Sequence, residues 1–291
     1  MRSDFLTLGG AHGPLRLHYT EWGDPAAGRT VLCVHGLTRN ARDFDALAGA
    51  LASAGVRVLC VDVAGRGRSD WLADPAEYRV DVYAAHLLRF LEVAGIGRVD
   101  WVGTSMGGLI GMAVAAVEAG PVERLVLNDV GPTVPKEALG PIGAYLGLDL
   151  LFPTVAALEQ HLRQIHAPFG PLSDEQWHHL AHHSTRRAPS GDYELRYDPA
   201  IGEGLHGHID PEFPMGPDLM RGIDLWNVWS KVQCPTLVLR GAQSEVLLPA
   251  TVAEMRARKP DVQVVEFADV GHAPALMSEE QISVVKQFLL R

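Results

Sequence analysis

Six short apolar runs set the fold. Thr30–Val34, Val56–Val61, Val99–Val102, Arg124–Leu127, Pro235–Arg240 and Val262–Phe267 each have the length of a strand. A run such as Thr30-Val31-Leu32-Cys33-Val34, apolar at consecutive rather than alternate positions, belongs to a strand buried on both faces. Helical patterns separate the runs. Phe44, Leu47, Ala48 and Leu51 recur at helical spacing until Gly55, Tyr83–Val93 is amphipathic, and Ser278–Leu290 closes the chain. Strand–helix alternation predicts an α/β fold with a doubly wound, mostly parallel sheet and ligand chemistry at the carboxyl ends of its strands. Two further strands precede it: Phe5–Leu8, then a turn at Gly9-Gly10 to Gly13-Pro14, then Leu15, Leu17 and Tyr19 alternating with period two.

The alternation stops after Gly131-Pro132 and resumes near residue 232. Between them, helical patterns over Tyr145–Phe152, Val155–Ile165 and Asp174–His183 are mixed with Pro-, Gly- and His-rich stretches. The expected organisation is therefore a core of residues 1–131 and 232–291, with an α-helical cap, 132–231, inserted between two core strands. No flexible linker flanks the insertion, so a covering lid is expected rather than a free domain. A chain of 291 residues is long enough to bury such a core.

One turn carries a chemical signature. Gly103-Thr104-Ser105-Met106-Gly107 follows the run Val99–Val102 and leads into the small-residue helix Gly108–Ala116. A serine between glycines at a tight strand-to-helix turn has its hydroxyl forced into the cleft, with a helix N-terminus behind it that favours negative charge. Ser105 is the candidate nucleophile. Its hydroxyl is nearly inert at neutral pH, so it needs a base within hydrogen-bond reach and a group that orients that base. Thirteen histidines are present, so position decides. His272, in Val270-Gly271-His272-Ala273-Pro274, lies in a loop after the last strand and is the candidate base. His35 is expected to be structural, and the insertion histidines to be solvated rather than metal ligands.

Two carboxylates compete to orient His272. Glu245 follows the strand after the insertion and gives the order serine–acid–histidine; Asp129, at the end of the strand before it, is the alternative. Glu245 is preferred. An oxyanion hole needs two backbone N–H groups. Met106, next after the nucleophile, supplies one, and Leu37, in the loop His35-Gly36-Leu37-Thr38-Arg39-Asn40, the other. The turn Asp62-Val63-Ala64-Gly65-Arg66-Gly67-Arg68-Ser69 lacks the lysine and spacing of a phosphate-binding loop, so it is read as shaping the core and the cleft rim.

Composition excludes several partners. A formal net charge of −10 repels polyanions, so no nucleic acid is expected. No apolar run is long enough to span a bilayer, and the N-terminal residues have no signal-peptide pattern. Cys33, Cys60 and Cys234 show no zinc spacing, which suits a reducing cytoplasm. No metal or organic cofactor is implied.

His35-Gly36-Leu37, Asp62 to Ser69 with its glycines, Gly103–Gly108, Leu239-Arg240-Gly241 and Gly271–Pro274 together resemble the α/β-hydrolase fold superfamily, specifically its lidded esterase and lipase-like members. The likeness extends over nearly the whole chain. It implies a carboxylic-ester hydrolase acting through an acyl-enzyme on small to medium apolar esters. Lactone, thioester or C–C bond hydrolysis would use the same triad, and a non-catalytic ligand-binding homologue is the further alternative. Relatives with an aspartate nucleophile, the haloalkane dehalogenases and epoxide hydrolases, do not fit Ser105. The pattern usually has aspartate where Glu245 stands. Cap residues Tyr145, Phe152, Trp177 and Trp226, together with Leu146, Leu148, Phe169 and Trp229, are expected to line the substrate pocket or to anchor the cap.

Overall fold

The computed structural model describes residues 1–9, 13–138, 146, 148, 150–204 and 222–291. Its centre is an eight-stranded sheet. The strands, in chain order, are β1 (Arg2–Leu8), β2 (Leu15–Trp22), β3 (Thr30–Val34), β4 (Arg57–Val61), β5 (Val99–Thr104), β6 (Val122–Asn128), β11 (Thr236–Gly241) and β12 (Gln263–Phe267), the numbers between being taken by short strands described below. Their spatial order is β1-β2-β4-β3-β5-β6-β11-β12. β1, β2 and β4 pair antiparallel in succession, and every later pairing is parallel. The chain direction reverses around β3, so helices cover both faces and the six apolar runs lie between them. Val31, Leu32, Cys33, Val34, Val102, Val126, Leu127 and Leu239 are fully buried.

Helices α1 (Asp45–Ala52), α2 (Val80–Val93) and α3 (Met106–Ala115) follow β3, β4 and β5. α3 is nearly all small or apolar because it packs closely on the sheet: a Cβ at Gly111 would stand 2.4 Å from Trp101 Nε1, and one at Gly108 2.5 Å from Val130. Trp101 is buried beneath it and donates to Gly107 O at 3.0 Å.

The inserted residues begin and end together. β7 (Thr133–Val134) pairs antiparallel with β10 (Ile223–Asp224), and Leu225 N–H donates to Pro132 O at 2.7 Å. Between them α4 (Val155–Ile165) packs on α5 (Asp174–Ser184), which runs into the ribbon β8 (Thr185–Arg187) and β9 (Tyr193–Leu195). Thr154 caps α4, and Ser173 with Gln176 forms a capping box on α5. The helix expected over Tyr145–Phe152 is not seen where that stretch is described: Leu148 and Leu150–Phe152 are not helical, and Phe152 bridges to Tyr193. Tertiary pairing there overrides the apolar pattern. The segment is stitched to the sheet's carboxyl edge by Gly67 N–H to Arg196 O at 2.9 Å, Asp198 N–H to Gly65 O at 2.8 Å and Gly271 N–H to Pro168 O at 2.7 Å. No helix among the described residues is long and apolar enough to cross a membrane.

Candidate active site

Ser105 sits between β5 and α3 with φ 51° and ψ −116°. A non-glycine residue held there stores roughly 1–3 kcal/mol of backbone strain, which the surrounding packing must hold in place. The flanking glycines show why. A Cβ on Gly103 would lie 2.2 Å from Gly107 O, and one on Gly107 would lie 2.0 Å from Val34 O. Ser105 N–H is fixed to Asn128 O at 3.0 Å, leaving the side chain facing outward.

His272 reaches it from the far end of the chain. Ser105 Oγ and His272 Nε2 are 2.9 Å apart, and His272 Nδ1 lies 2.6 Å from Asp129 Oδ2. Glu245, the acid preferred from sequence, is exposed, and the hydrogen bond to the ring is made by Asp129 instead. The register of the sheet gives the reason. Leu239 of β11 lies beside Asn128 of β6, so Asp129, one residue further on, meets the loop leaving β11. Gly241 N–H donates to its Oδ1 at 2.8 Å and Ser244 Oγ to its Oδ2 at 2.5 Å. The loop expected to supply the acid supplies the donors that hold it. Asp129 is completely buried, and a buried carboxylate needs such donors.

Leu37 lines the same cavity as Ser105, and Met106 directly follows Ser105 in the chain. Met106 opens α3, so no earlier turn of the helix can accept its N–H. Arg66, fully buried, ties both residues down: its Nε donates to Leu37 O at 2.9 Å and its Nη2 lies 3.6 Å from Met106 Sδ. Nη1 donates to Ala64 O and to Tyr83 OH. The Asp62–Ser69 turn thus sets the cleft wall through Arg66. Asp62 holds the turn's base, accepting from Ala41 N–H at 2.7 Å and Arg68 N–H at 2.9 Å.

Both ring nitrogens of His35 are taken up by backbone groups. The residue is buried with Nε2 accepting from Val63 N–H at 3.0 Å, so its Nδ1–H donates to Gly36 O at 2.7 Å. Burial pushes this imidazole below its ordinary 6.5, and burial pushes His166 well below it. Both are neutral in the native state and protonatable once unfolded. Stability is therefore full above about pH 6.5 and falls as pH drops from there toward the folded values, at up to about 1.4 kcal/mol per pH unit for each ring. Thermal unfolding followed from pH 8 to pH 5 is expected to show Tm falling steadily below pH 6.5. A flat Tm over that range would contradict it.

Ser105 and His272 open onto a cavity of about 560 Å3 walled by Gly36–Arg39, by Ile165–Phe169 and by Gln243, Glu245 and Val246. Of the described cap residues expected at the pocket, only Phe169 lines it. Phe152 packs with Leu158 and Leu162 under α4, Trp177 is buried in α5 with the Arg163 guanidinium over its ring, and Trp226 stacks under Arg258. These aromatic side chains anchor the segment. Tyr145 lies outside the described residues. Sequence reading missed Asn128, whose Nδ2 joins Thr104 Oγ1 at 3.0 Å to Pro274 O at 2.8 Å and so links the Ser105 turn to the His272 loop. Its position beside Asp129 at the end of an apolar strand was the available signal.

A larger cavity, about 690 Å3, is lined by Asn40, Arg42, Arg68, Arg186, Arg187 and Arg196 among others, and contains neither Ser105 nor His272. Near it Asp45, His179 and His183 bring ligand atoms within 4.8 Å of one another. The Arg42 guanidinium already fills that cluster, with Nε 2.8 Å from Asp45 Oδ2 and Nη1 3.4 Å from His183 Nδ1. A metal ion there would have to displace a paired cation.

The family model for the alpha/beta hydrolase fold matches residues 29–277. The chain belongs to that family. It is 44% identical over 276 residues to the 3-hydroxybutyrate-oligomer hydrolase of Cupriavidus necator, covering 94% of this chain and 92% of that one. It is 28% identical to the N-formylmaleamate deformylase of Pseudomonas putida, over 89% and 86% of the two chains. Among solved structures, an alpha/beta hydrolase from Novosphingobium aromaticivorans superposes with a TM-score of 0.83 at 36% identity, over 99% and 98% of the chains. The Cupriavidus necator relative and the Novosphingobium aromaticivorans structure are both named as hydrolases.

Proposed function

We propose that this hydrolase cleaves carboxylic esters through an acyl-enzyme formed on Ser105, and that its substrates are short oligoesters of 3-hydroxy acids. The observation that carries the reading is the continuous hydrogen-bonded series from Ser105 Oγ through His272 to Asp129, at 2.9 and 2.6 Å. In this reading His272 Nε2 takes the hydroxyl proton as Ser105 Oγ attacks the ester carbonyl. Asp129 keeps the ring in the tautomer with Nε2 free and stabilises the imidazolium. The N–H groups of Leu37 and Met106 hold the oxyanion. The imidazolium then protonates the departing alkoxide, and water, deprotonated by the same ring, releases the acid. Residues 132–231 act as a cap, with Ile165–Phe169 as its wall over the cavity.

The substrate class is drawn from the Cupriavidus necator relative, whose name specifies 3-hydroxybutyrate oligomers. The test is to incubate the purified protein with 3-hydroxybutyrate trimer and with p-nitrophenyl butyrate, quantifying released 3-hydroxybutyrate and nitrophenol. Hydrolysis of both, with Ser105 labelled stoichiometrically by a fluorophosphonate, is expected. Labelling without trimer cleavage would leave a serine esterase of other specificity; no labelling would overturn the catalytic reading.

A further inference from the structure

We infer that Arg39 and His166 form a carboxylate-binding subsite inside the catalytic cavity, selecting esters that carry a free acid group, such as the last ester bond of a hydroxy-acid oligomer. The inference rests on the ester-hydrolase reading above and narrows its substrate. Sequence reading pointed instead to uncharged esters.

Both side chains line the cavity that contains Ser105 and His272, and both are more than nine-tenths buried, at 5% and 7% exposure. Arg39 is the one cation among the described residues of that lining. Its stem is near the reaction: a Cβ built on Gly36 would be 3.8 Å from Arg39 Cγ and 3.7 Å from Ser105 Cβ. Asp43 grips the guanidinium from behind, accepting from Nε at 2.8 Å and Nη2 at 2.7 Å. Nη1 has no hydrogen-bond partner among the described residues. A guanidinium fixed bidentately on one edge is preorganised and presents the positive end of the pair on the other.

His166 complements it. The residue ends α4, where the chain turns toward the cavity, and its ring stacks on Phe169 with centroids 4.6 Å apart. No described group hydrogen-bonds to either ring nitrogen. Burial first, then the nearby Arg39 charge, holds the ring neutral, so it has one N–H to donate. An arginine edge and an imidazole N–H without partners suit one planar anion. The chain's net charge of −10 opposes the approach of an acidic substrate, so the buried guanidinium edge and the imidazole N–H, not the overall field, must supply the attraction. Glu245, which lines the same cavity, is exposed, and its charge is screened by water. In the last ester bond of a hydroxy-acid oligomer, the carboxylate belongs to the leaving hydroxy acid. The subsite would therefore hold the leaving group while Ser105 takes the acyl part.

The test compares 3-hydroxybutyrate dimer with the same dimer capped as its primary amide, which keeps the shape and removes the charge. Wild-type kcat/KM is expected to favour the free acid by about 10–100-fold, chiefly through KM. In Arg39→Gln the preference should fall to about threefold or less; in Arg39→Lys, which keeps the charge without the fork, and in His166→Phe it should be intermediate. Equal wild-type rates on the two dimers would overturn the inference even if no variant folds, and so would an Arg39→Gln enzyme that keeps the wild-type preference. Failure of wild type on both dimers and on p-nitrophenyl butyrate would instead sink the ester-hydrolase reading.

Discussion

Ser105→Ala is expected to lower kcat/KM on p-nitrophenyl butyrate by about 10^4-fold or more, with a circular-dichroism spectrum and thermal unfolding close to wild type. Without the hydroxyl no acyl-enzyme can form, and only binding and the N–H groups of Leu37 and Met106 remain to assist attack by water. The fold should survive because the side chain hydrogen-bonds only His272 among the described residues, and the backbone around it is held by Asn128 and the close-packed glycines. Fluorophosphonate labelling should disappear with the hydroxyl. A variant that keeps near-wild-type turnover would place the nucleophile elsewhere.

The second large effect separates two carboxylates. Asp129→Asn should reduce kcat by about 10^4-fold, because an amide at that position can present its N–H2 to His272 Nδ1 and stabilise the wrong tautomer, and it cannot balance an imidazolium. It would also sit poorly against Gly241 N–H and the Ser244 hydroxyl, both oriented to donate to a carboxylate. Glu245→Gln should change the rate by about threefold or less, since an exposed charge is screened and makes no hydrogen bond to the ring. The reverse ranking in steady-state kinetics would return the orienting role to Glu245.

Much of this arrangement is local, and so could be read directly. The strand runs are apolar whatever their neighbours, and Gly103, Ser105 and Gly107 are confined to a tight turn because any larger flanking side chain would strike backbone within 2.2 Å. His272 was identifiable because Gly271 and Pro274 hold it in a loop at the end of the last strand. The orienting acid was not, since Glu245 and Asp129 both follow core strands. Choosing between them requires the β6–β11 register, a pairing of residues more than a hundred positions apart. Aromatic residues of the insertion likewise looked equally suited to pocket and anchor, and packing assigned most of those described to anchoring. Arg39 and His166 were hidden differently. Arg39 lies in the loop read only for its backbone N–H and His166 in no motif, and a buried charge facing a cavity becomes visible only when chain segments more than a hundred residues apart are folded against each other.

The sequence by itself determined the parallel α/β core, the serine at its sharp turn and the histidine that answers it, because steric and periodic constraints act between near neighbours. Tertiary structure alone decided which carboxylate meets the imidazole and what walls the cavity. Those choices depend on strand register and on how residues 132–231 lie against the sheet edge, and long-range packing sets both.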